Sequence, residues 1–237
     1  MIGFSFLSEH THHVTPLPTE CQSSAFSSLN PLTQIYYFGS FNPVHLGHLN
    51  TAKEALATLA SQGFREVVFI PTPKPPNKMK HSSSQDLLPL ALRLTFLNDA
   101  IHDLGMQNYF KAVNLEWQSD ASPSYTAQTI EKRFSDFFKE APDARLYLLM
   151  GEETLMSLPT WHNADWLLQH IHCIVMPRPT HFRTPFRKEI DCLLKNRYQL
   201  EVIRLRPAQC FPMNATQVRQ QGDEVGWLTP SVHPFFI

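Results

Sequence analysis

Charge of either sign is scarce in this chain: 17% of its 237 residues are Asp, Glu, Lys or Arg, and 20 Lys+Arg against 21 Asp+Glu leave a formal net charge of -1. That balance builds no long-range basic field, so a general DNA or RNA binder is disfavoured and no nucleic-acid partner is expected. Long apolar runs are missing as well. No stretch reaches the ~18 residues that a membrane helix needs, and the N-terminus lacks the charged-then-apolar layout of a secretory signal. A cytoplasmic protein without a membrane partner is expected. The 4 cysteines, Cys21, Cys173, Cys192 and Cys210, stand far apart with no C-x-x-C pair, which excludes a zinc site of the usual spacing and favours reduced thiols in or near a core. The 12 histidines are more than usual. His10, His12 and His13 cluster near the start, where the local sequence offers neither a fixed partner carboxylate nor a fold around them, so they read as solvated tail and no protein-held metal is expected.

What is present is apolar: 43% of the residues are hydrophobic, enough in a chain of this size to bury a sizeable core. Residues 1–32 are rich in Ser, Thr and Pro and show no periodicity, which favours an irregular extension. Residues 33–237 read as a single α/β domain. Gln34 to Phe38, closed by Gly39, has the β-branched and aromatic character of a buried strand. Further strands are predicted at Glu66 to Ile70, Phe110 to Asn114, Arg145 to Met150, His172 to Met176 and Leu200 to Leu205. Helical spacing marks Leu49 to Leu59 with Gly63 as its stop, and Leu87 to Leu104 before Gly105. It also marks Tyr125 to Phe138, Asp165 to Gln169 and Phe186 to Leu194. Strands alternating with helices argue for a mostly parallel sheet covered on both faces. Ligands of such sheets sit beyond the C-terminal ends of the strands, so the segments that follow each strand carry the search for function.

The first of these is Gly39-Ser40-Phe41-Asn42-Pro43-Val44-His45-Leu46-Gly47-His48, which holds two of the chain's 8 glycines. Gly39 would let backbone approach a ligand, and the start of the following helix offers free N–H groups to an anion. His45 and His48 share one face of that start. As hydrogen-bond donors they suit a polyphosphate better than a metal, which lacks a third ligand here. Two histidines that merely cap a helix are the plain alternative. The lysine of a Walker loop and the spacing of G-x-G-x-x-G are both absent.

With its H-x-G-H core, this segment closely resembles the signature of the nucleotidyltransferase superfamily. Four later segments resemble elements of its nicotinate mononucleotide adenylyltransferases, in the same order and each after a strand. Pro75-Pro76-Asn77-Lys78 is similar to P-P-x-K, and Ser124-Tyr125-Thr126-Ala127-Gln128-Thr129 to S-Y-T-x-x-T. Gly151-Glu152-Glu153-Thr154-Leu155 followed by Trp161-His162 is similar to G-x-D-x-L and its tryptophan, with Glu153 where the family has Asp. Met213-Asn214-Ala215-Thr216-Gln217-Val218-Arg219 is similar to I-S-S-T-x-I-R, with Asn214 and Ala215 in place of two serines. Met176 to Pro179 resembles the R-P element after the fifth strand, and Trp227 to Ile237 the short closing helix.

The resemblance implies a Rossmann-like, doubly wound fold and an enzyme that joins nicotinate mononucleotide to ATP, with release of pyrophosphate and formation of nicotinate adenine dinucleotide. It implies ATP contacts at Gly39, Ser40, Phe41, His45, His48, Gly151, Glu153, Thr216 and Arg219, with His45, His48 and Arg219 catalytic. Mononucleotide contacts are implied at Asn42, Lys78, Thr126, Trp161, His162 and Arg178. Ser124 is expected to cap the helix, leaving the Thr126 N–H to the nicotinate carboxylate. Trp161 is expected to stack on the pyridine ring, and Mg²⁺ to arrive on the ATP phosphates. Arg93 matches an arginine common in the family, but surface helix arginines are ordinary. Nicotinamide mononucleotide or phosphopantetheine as acceptor, or a nucleotide-binding protein without turnover, are the alternatives. A homo-oligomer is compatible with all of them.

Overall fold

The computed structural model describes residues 31–75, 87–115, 123–177, 184–206, 215–223 and 226–236. Six strands form where strand character was strongest: β1 Gln34–Gly39, β2 Glu66–Pro71, β3 Phe110–Ala112, β4 Leu146–Gly151, β5 Ile171–Met176 and β6 Val202–Arg204. They lie in one sheet in the order β3-β2-β1-β4-β5-β6. Every adjacent pair is parallel. The chain is thus a Rossmann-like α/β fold, doubly wound, whose strand order reverses between β1 and β4 and opens a crevice at that point.

The helices are α1 Leu46–Leu59, α2 Leu90–Asp103, α3 Thr126–Arg133, α4 Ser135–Glu140, α5 Glu152–Ser157, α6 Ala164–Gln169, α7 Thr184–Tyr198 and α8 Ala215–Gln221. Because successive strand residues face opposite sides, the central strands feed two cores. Ile35, Val67, Phe69, Leu149 and Ile174 pack with residues of α1, α2 and α8 and with Leu228 and Val232 from the C-terminal segment. Tyr36, Val68, Ile70, Leu148, Cys173 and Val175 pack with residues of α3 to α7. Buried on both faces, these strands are continuously apolar.

The differences from expectation have local causes. Helix α2 starts at Leu90, not Leu87, because Pro89 takes an extended conformation (φ -50, ψ 142) and restricts the residue before it. The single helix expected over Tyr125 to Phe138 is broken at Phe134 (φ -116, ψ 15), whose buried ring lies edge-on to Tyr36 at 5.2 Å. Helix α5 and the 3₁₀ turn Leu158–Thr160 occupy a stretch that shows no long periodicity. Two acidic residues in the first turn favour α5 through the helix dipole. Gly63 (φ +96) and Gly105 (φ +63) end their helices in the left-handed conformation, as their sequence places suggest. No helix among the described residues is long and apolar enough to cross a membrane. Cys173 is buried and Cys192 exposed, both as free thiols, whereas Cys21, Cys210 and residues 1–30 lie outside the described residues.

The outer part of the sheet carries a titratable contact. His172 on β5 accepts the Glu201 N–H at Nδ1 (3.0 Å). Burial, with the Arg145 guanidinium second, holds its pKa below the ordinary 6.5, while Glu201 opposes the shift. The folded protein therefore favours the neutral ring. This contribution to stability is complete above the unfolded value near 6.5 and is lost as pH falls below it toward the folded value. Urea midpoints measured between about pH 7.5 and about pH 5.5 should fall, and His172→Asn, which keeps an acceptor near Nδ1 but does not titrate, should flatten that fall.

Candidate active site

The loops after β1, β2, β3 and β4 and the start of α8 meet at the C-terminal edge of the sheet, and the side chains that join them are identifiable. Arg93, on α2, is 1% exposed. Its Nε donates to the Leu88 carbonyl (2.9 Å), Nη1 to those of Ser40 (2.7 Å) and Thr72 (2.9 Å), and Nη2 to that of Pro73 (3.3 Å). One guanidinium thus binds the loop after β1 to the loop after β2. Far from being an ordinary surface residue, Arg93 occupies the apolar stripe of its helix with Phe96, Leu97, Ala100 and Ile101. A charge at a stripe position was the signal available in the sequence, since such a residue is buried only with partners.

Asn42 is also 1% exposed. Its Oδ1 accepts the Leu88 N–H (3.0 Å) and its carbonyl accepts Arg219 Nη1, so the side chain ties the first loop to the start of α2. Arg219 also bonds the Ala215 carbonyl (3.1 Å) and, through Nη2, the exposed Thr216 hydroxyl (3.2 Å). The first loop is thereby joined to α8, more than 170 positions later in the chain. Phe41 has a positive φ of 42 and sends its ring inward, edge-on to Tyr37, Phe69 and His48. Gly39 is required by that ring: an added Cβ would stand 3.0 Å from the Phe41 Cζ. Its role in the fold is to make room for a side chain of its own loop.

His45 is the N-cap of α1, and a reciprocal capping box joins it to His48. The rings stack with centroids 3.8 Å apart. His48 Nδ1 accepts the His45 N–H (3.3 Å), so the neutral His48 ring carries its proton on Nε2, as a donor. Capping and ligand binding are therefore not alternatives here. The cap uses one ring nitrogen of His48 and orients the other.

On the far side, Ser124 does not cap α3. The N-cap is Tyr125, and Thr126 is the first helical residue. Ser124 instead pairs with the loop after β2: its N–H donates to the Lys74 carbonyl (3.0 Å), and its Oγ accepts the Lys74 N–H (3.4 Å). Tyr125 stacks on His162 (centroids 4.3 Å), and Gln128 Nε2 lies 3.3 Å from His162 Nε2. The start of α3 is thus brought to the turn after α5. Trp161 is half-buried there and packs on the core around α5, with Nε1 donating to Ser157 Oγ (3.1 Å). Gly151 is the N-cap of α5, and Glu153 Oε2 lies 3.2 Å from where a Gly151 Cβ would stand. The exposed Glu153 carboxylate thus folds over the end of β4. Lys78, Arg178 and Asn214 lie outside the described residues.

The assembled site offers two stacked imidazoles at the start of α1 and one arginine beside the reversal of strand order, and the donor end of α3 with aromatic surface beyond it. The first group suits a polyphosphate; the second suits a flat ring bearing an acceptor. The match to the cytidylyltransferase-like family covers residues 36–221. The nicotinate-nucleotide adenylyltransferase of Salmonella typhi is 34% identical over 146 residues, 62% of this chain and 62% of that protein. A probable nicotinate-nucleotide adenylyltransferase of Klebsiella pneumoniae is 30% identical over 200 residues, 79% of this chain and 85% of its own. The first alignment therefore spans less than two thirds of the relative's length. Among solved structures, Plasmodium falciparum nicotinic acid mononucleotide adenylyltransferase complexed with APC superposes with a TM-score of 0.62 at 13% identity, over 85% of this chain and 92% of that one. The same enzyme complexed with NaAD gives 0.56, over 79% and 82%. At that identity the likeness is one of fold.

Replacing Arg93 by Lys keeps the charge but puts all donors on one atom, which cannot span carbonyls on three segments. Arg93→Lys should cost about 2–4 kcal/mol of stability in urea titration through the buried carbonyls it abandons.

Proposed function

Since the chain belongs to the cytidylyltransferase-like family, we propose that it is an adenylyltransferase that joins nicotinate mononucleotide to ATP in the synthesis of NAD. The observation that supports this reading is the placement of His45, His48 and Arg219 about the loop after β1 and of Thr126, Trp161 and His162 about the start of α3, the first group suited to a polyphosphate and the second to a flat ring. The names of the relatives from Salmonella typhi and Klebsiella pneumoniae support it.

In this reading a phosphate oxygen of the mononucleotide attacks the α-phosphorus of ATP in line, the bond to the bridging oxygen breaks, and pyrophosphate departs. The attacking phosphate is already nucleophilic, so no covalent enzyme intermediate is needed. The protein's task is alignment and the neutralisation of charge growing on the leaving group. His48 Nε2–H and the Arg219 guanidinium perform the second task, with His45 held beside His48 by the stack. Thr216 orients Arg219. Gly39, Ser40 and Phe41 contribute backbone to the ATP side, and Gly151 with Glu153 faces its nucleoside. Asn42 sets the position of the first loop, and Lys78 and Arg178 are assigned to the mononucleotide by resemblance alone. The N–H of Thr126, at the start of α3, and that of His162 receive the nicotinate carboxylate, an acceptor-only group that such donors prefer to an amide.

Among the described residues no group of three or more His, Cys, Asp or Glu side chains is placed to hold a metal ion. Mg²⁺ would enter as part of the ATP complex, carried largely by the phosphates. An enzyme acting on free nucleotides with a near-neutral surface belongs in the cytoplasm.

The test is pyrophosphate release from ATP and Mg²⁺, with nicotinate mononucleotide, nicotinamide mononucleotide and phosphopantetheine supplied separately. Release with the nicotinate form well above the others is expected; ATP binding without release for any acceptor would identify a nucleotide-binding protein instead. In the same assay His48→Ala should lower turnover roughly 100-fold with the fold retained, and normal turnover would remove the imidazole from the phosphate pocket. Trp161→Ala should raise the mononucleotide KM about 10-fold and leave the ATP KM nearly unchanged, the size expected for one lost ring stack.

A further inference from the structure

The start of α1 is held by a second part of the chain, the C-terminal segment that begins at Trp227. The N–H of Leu46, the first residue of α1, donates to the carbonyl of Trp227 at 2.8 Å. Trp227 belongs to the segment after α8, and the shape of that segment is set by a buried carboxylate. Asp223 is 8% exposed. Its Oδ1 accepts the Trp227 N–H at 2.6 Å, and its Oδ2 accepts the Leu228 N–H at 2.9 Å. The backbone of the same residue donates to the Phe236 carbonyl at 3.0 Å and accepts the Gly226 N–H at 3.3 Å. Leu228 and Val232 then enter the core that holds Val44 and Leu49.

The placement has a mechanical consequence. The stretch from Asn42 to Leu46 carries His45 and is gripped at both ends: the Asn42 carbonyl by Arg219 and the Leu46 N–H by the Trp227 carbonyl. The two grips are close in sequence, and Asp223 lies between them. A carboxylate fits the position because it accepts two neighbouring N–H groups at once and offers no donor to oppose them. With the Leu46 N–H occupied by the chain itself, the direction of α1 and therefore the presentation of the stacked His45 and His48 rings depend on where Trp227 sits.

The geometry points to Asp223 as a positioning residue: through the turn it organises, it sets the first turn of α1 and the two histidines for the phosphate chemistry. This rests on the adenylyl transfer proposed above. Asp223 touches no reacting atom in this scheme, and its effect passes through Trp227 and Leu46.

The test compares full-length Asp223→Asn and Ser231→Ala with the unchanged protein. Ser231 lies on the same segment but bonds outward, its N–H and hydroxyl donating to Asp103 at 2.8 and 2.6 Å. Asp223→Asn places an amide against two N–H donors. It should lower kcat by roughly 10- to 100-fold, as small misplacements of aligned groups do, with the mononucleotide KM unchanged because that pocket stands on α3 and the turn after α5. Ser231→Ala should lower the melting temperature and leave kcat unchanged. A kcat that is unaltered in Asp223→Asn, or one that falls equally in both variants, would overturn the assignment. Should Asp223→Asn fail to fold, Asp223→Glu keeps the charge, shifts the oxygens by one methylene and is read by the same criteria. The ring resonances of His45 and His48, identified by their own substitutions, give a readout that needs no turnover. They should shift in Asp223→Asn and stay in place in Ser231→Ala; unshifted resonances would sink the inference even if the protein released no pyrophosphate, whereas wild-type inactivity alone would count against the adenylyl-transfer reading.

Discussion

The buried guanidinium of Arg93 is the constraint on which the crevice depends. A parallel sheet delivers its loops to one edge, but nothing in strand pairing fixes how those loops stand relative to one another. Arg93 does so by giving four of its donors to carbonyls before α2, after β1 and after β2. Backbone carbonyls in loops are the groups most exposed to loss of water when a crevice forms, and each left unpartnered is costly. A planar cation with a rigid fork satisfies several at once, and its burial is tolerated because they surround it.

From that joint the loops connect in series. Arg219 links α8 to the first loop, Arg93 links the first loop to the second, and Ser124 with Lys74 links the second to the start of α3. Tyr125 and Gln128 then link α3 to His162. Each link is short-range and polar or aromatic, and each joins residues far apart in the chain. For the adenylyl transfer proposed above, in which two substrates must meet in line, a chain of such links around the crevice would supply rigidity where the loops carry no regular structure.

Helix α1 illustrates how structural and chemical demands coincide. Its first turn is stabilised by two histidines that cap it reciprocally, and the bond that caps it also selects the tautomer in which His48 presents a donor outward. A serine would cap as well but would leave nothing to present. The same economy appears at Gly39. A glycine after β1 reads in sequence as room for a ligand, yet the space is taken by the Phe41 ring, which turns inward through a left-handed backbone and supports the imidazole of His48 from beneath.

Periodicity and short motifs determined the strand set, the main helices, the parallel α/β class and the neighbourhoods of His45, His48, Thr126, Trp161 and Arg219, because those features depend on residues close together in the chain. Local signals also carried Gly63 and Gly105 as helix ends. They could not reach the break at Phe134, whose ring packs on Tyr36 of β1, far away in the chain, nor the pairing of Ser124 with Lys74, where a hydroxyl suited to capping met a better partner. Arg93 was visible only as a charge on an apolar stripe, and its meaning required the carbonyls of loops 21 and 53 positions away. Tertiary structure decided which side chains hold the site and which fill the core, since hydrogen-bond partners and buried volume are shared between distant segments and are encoded in no single one of them.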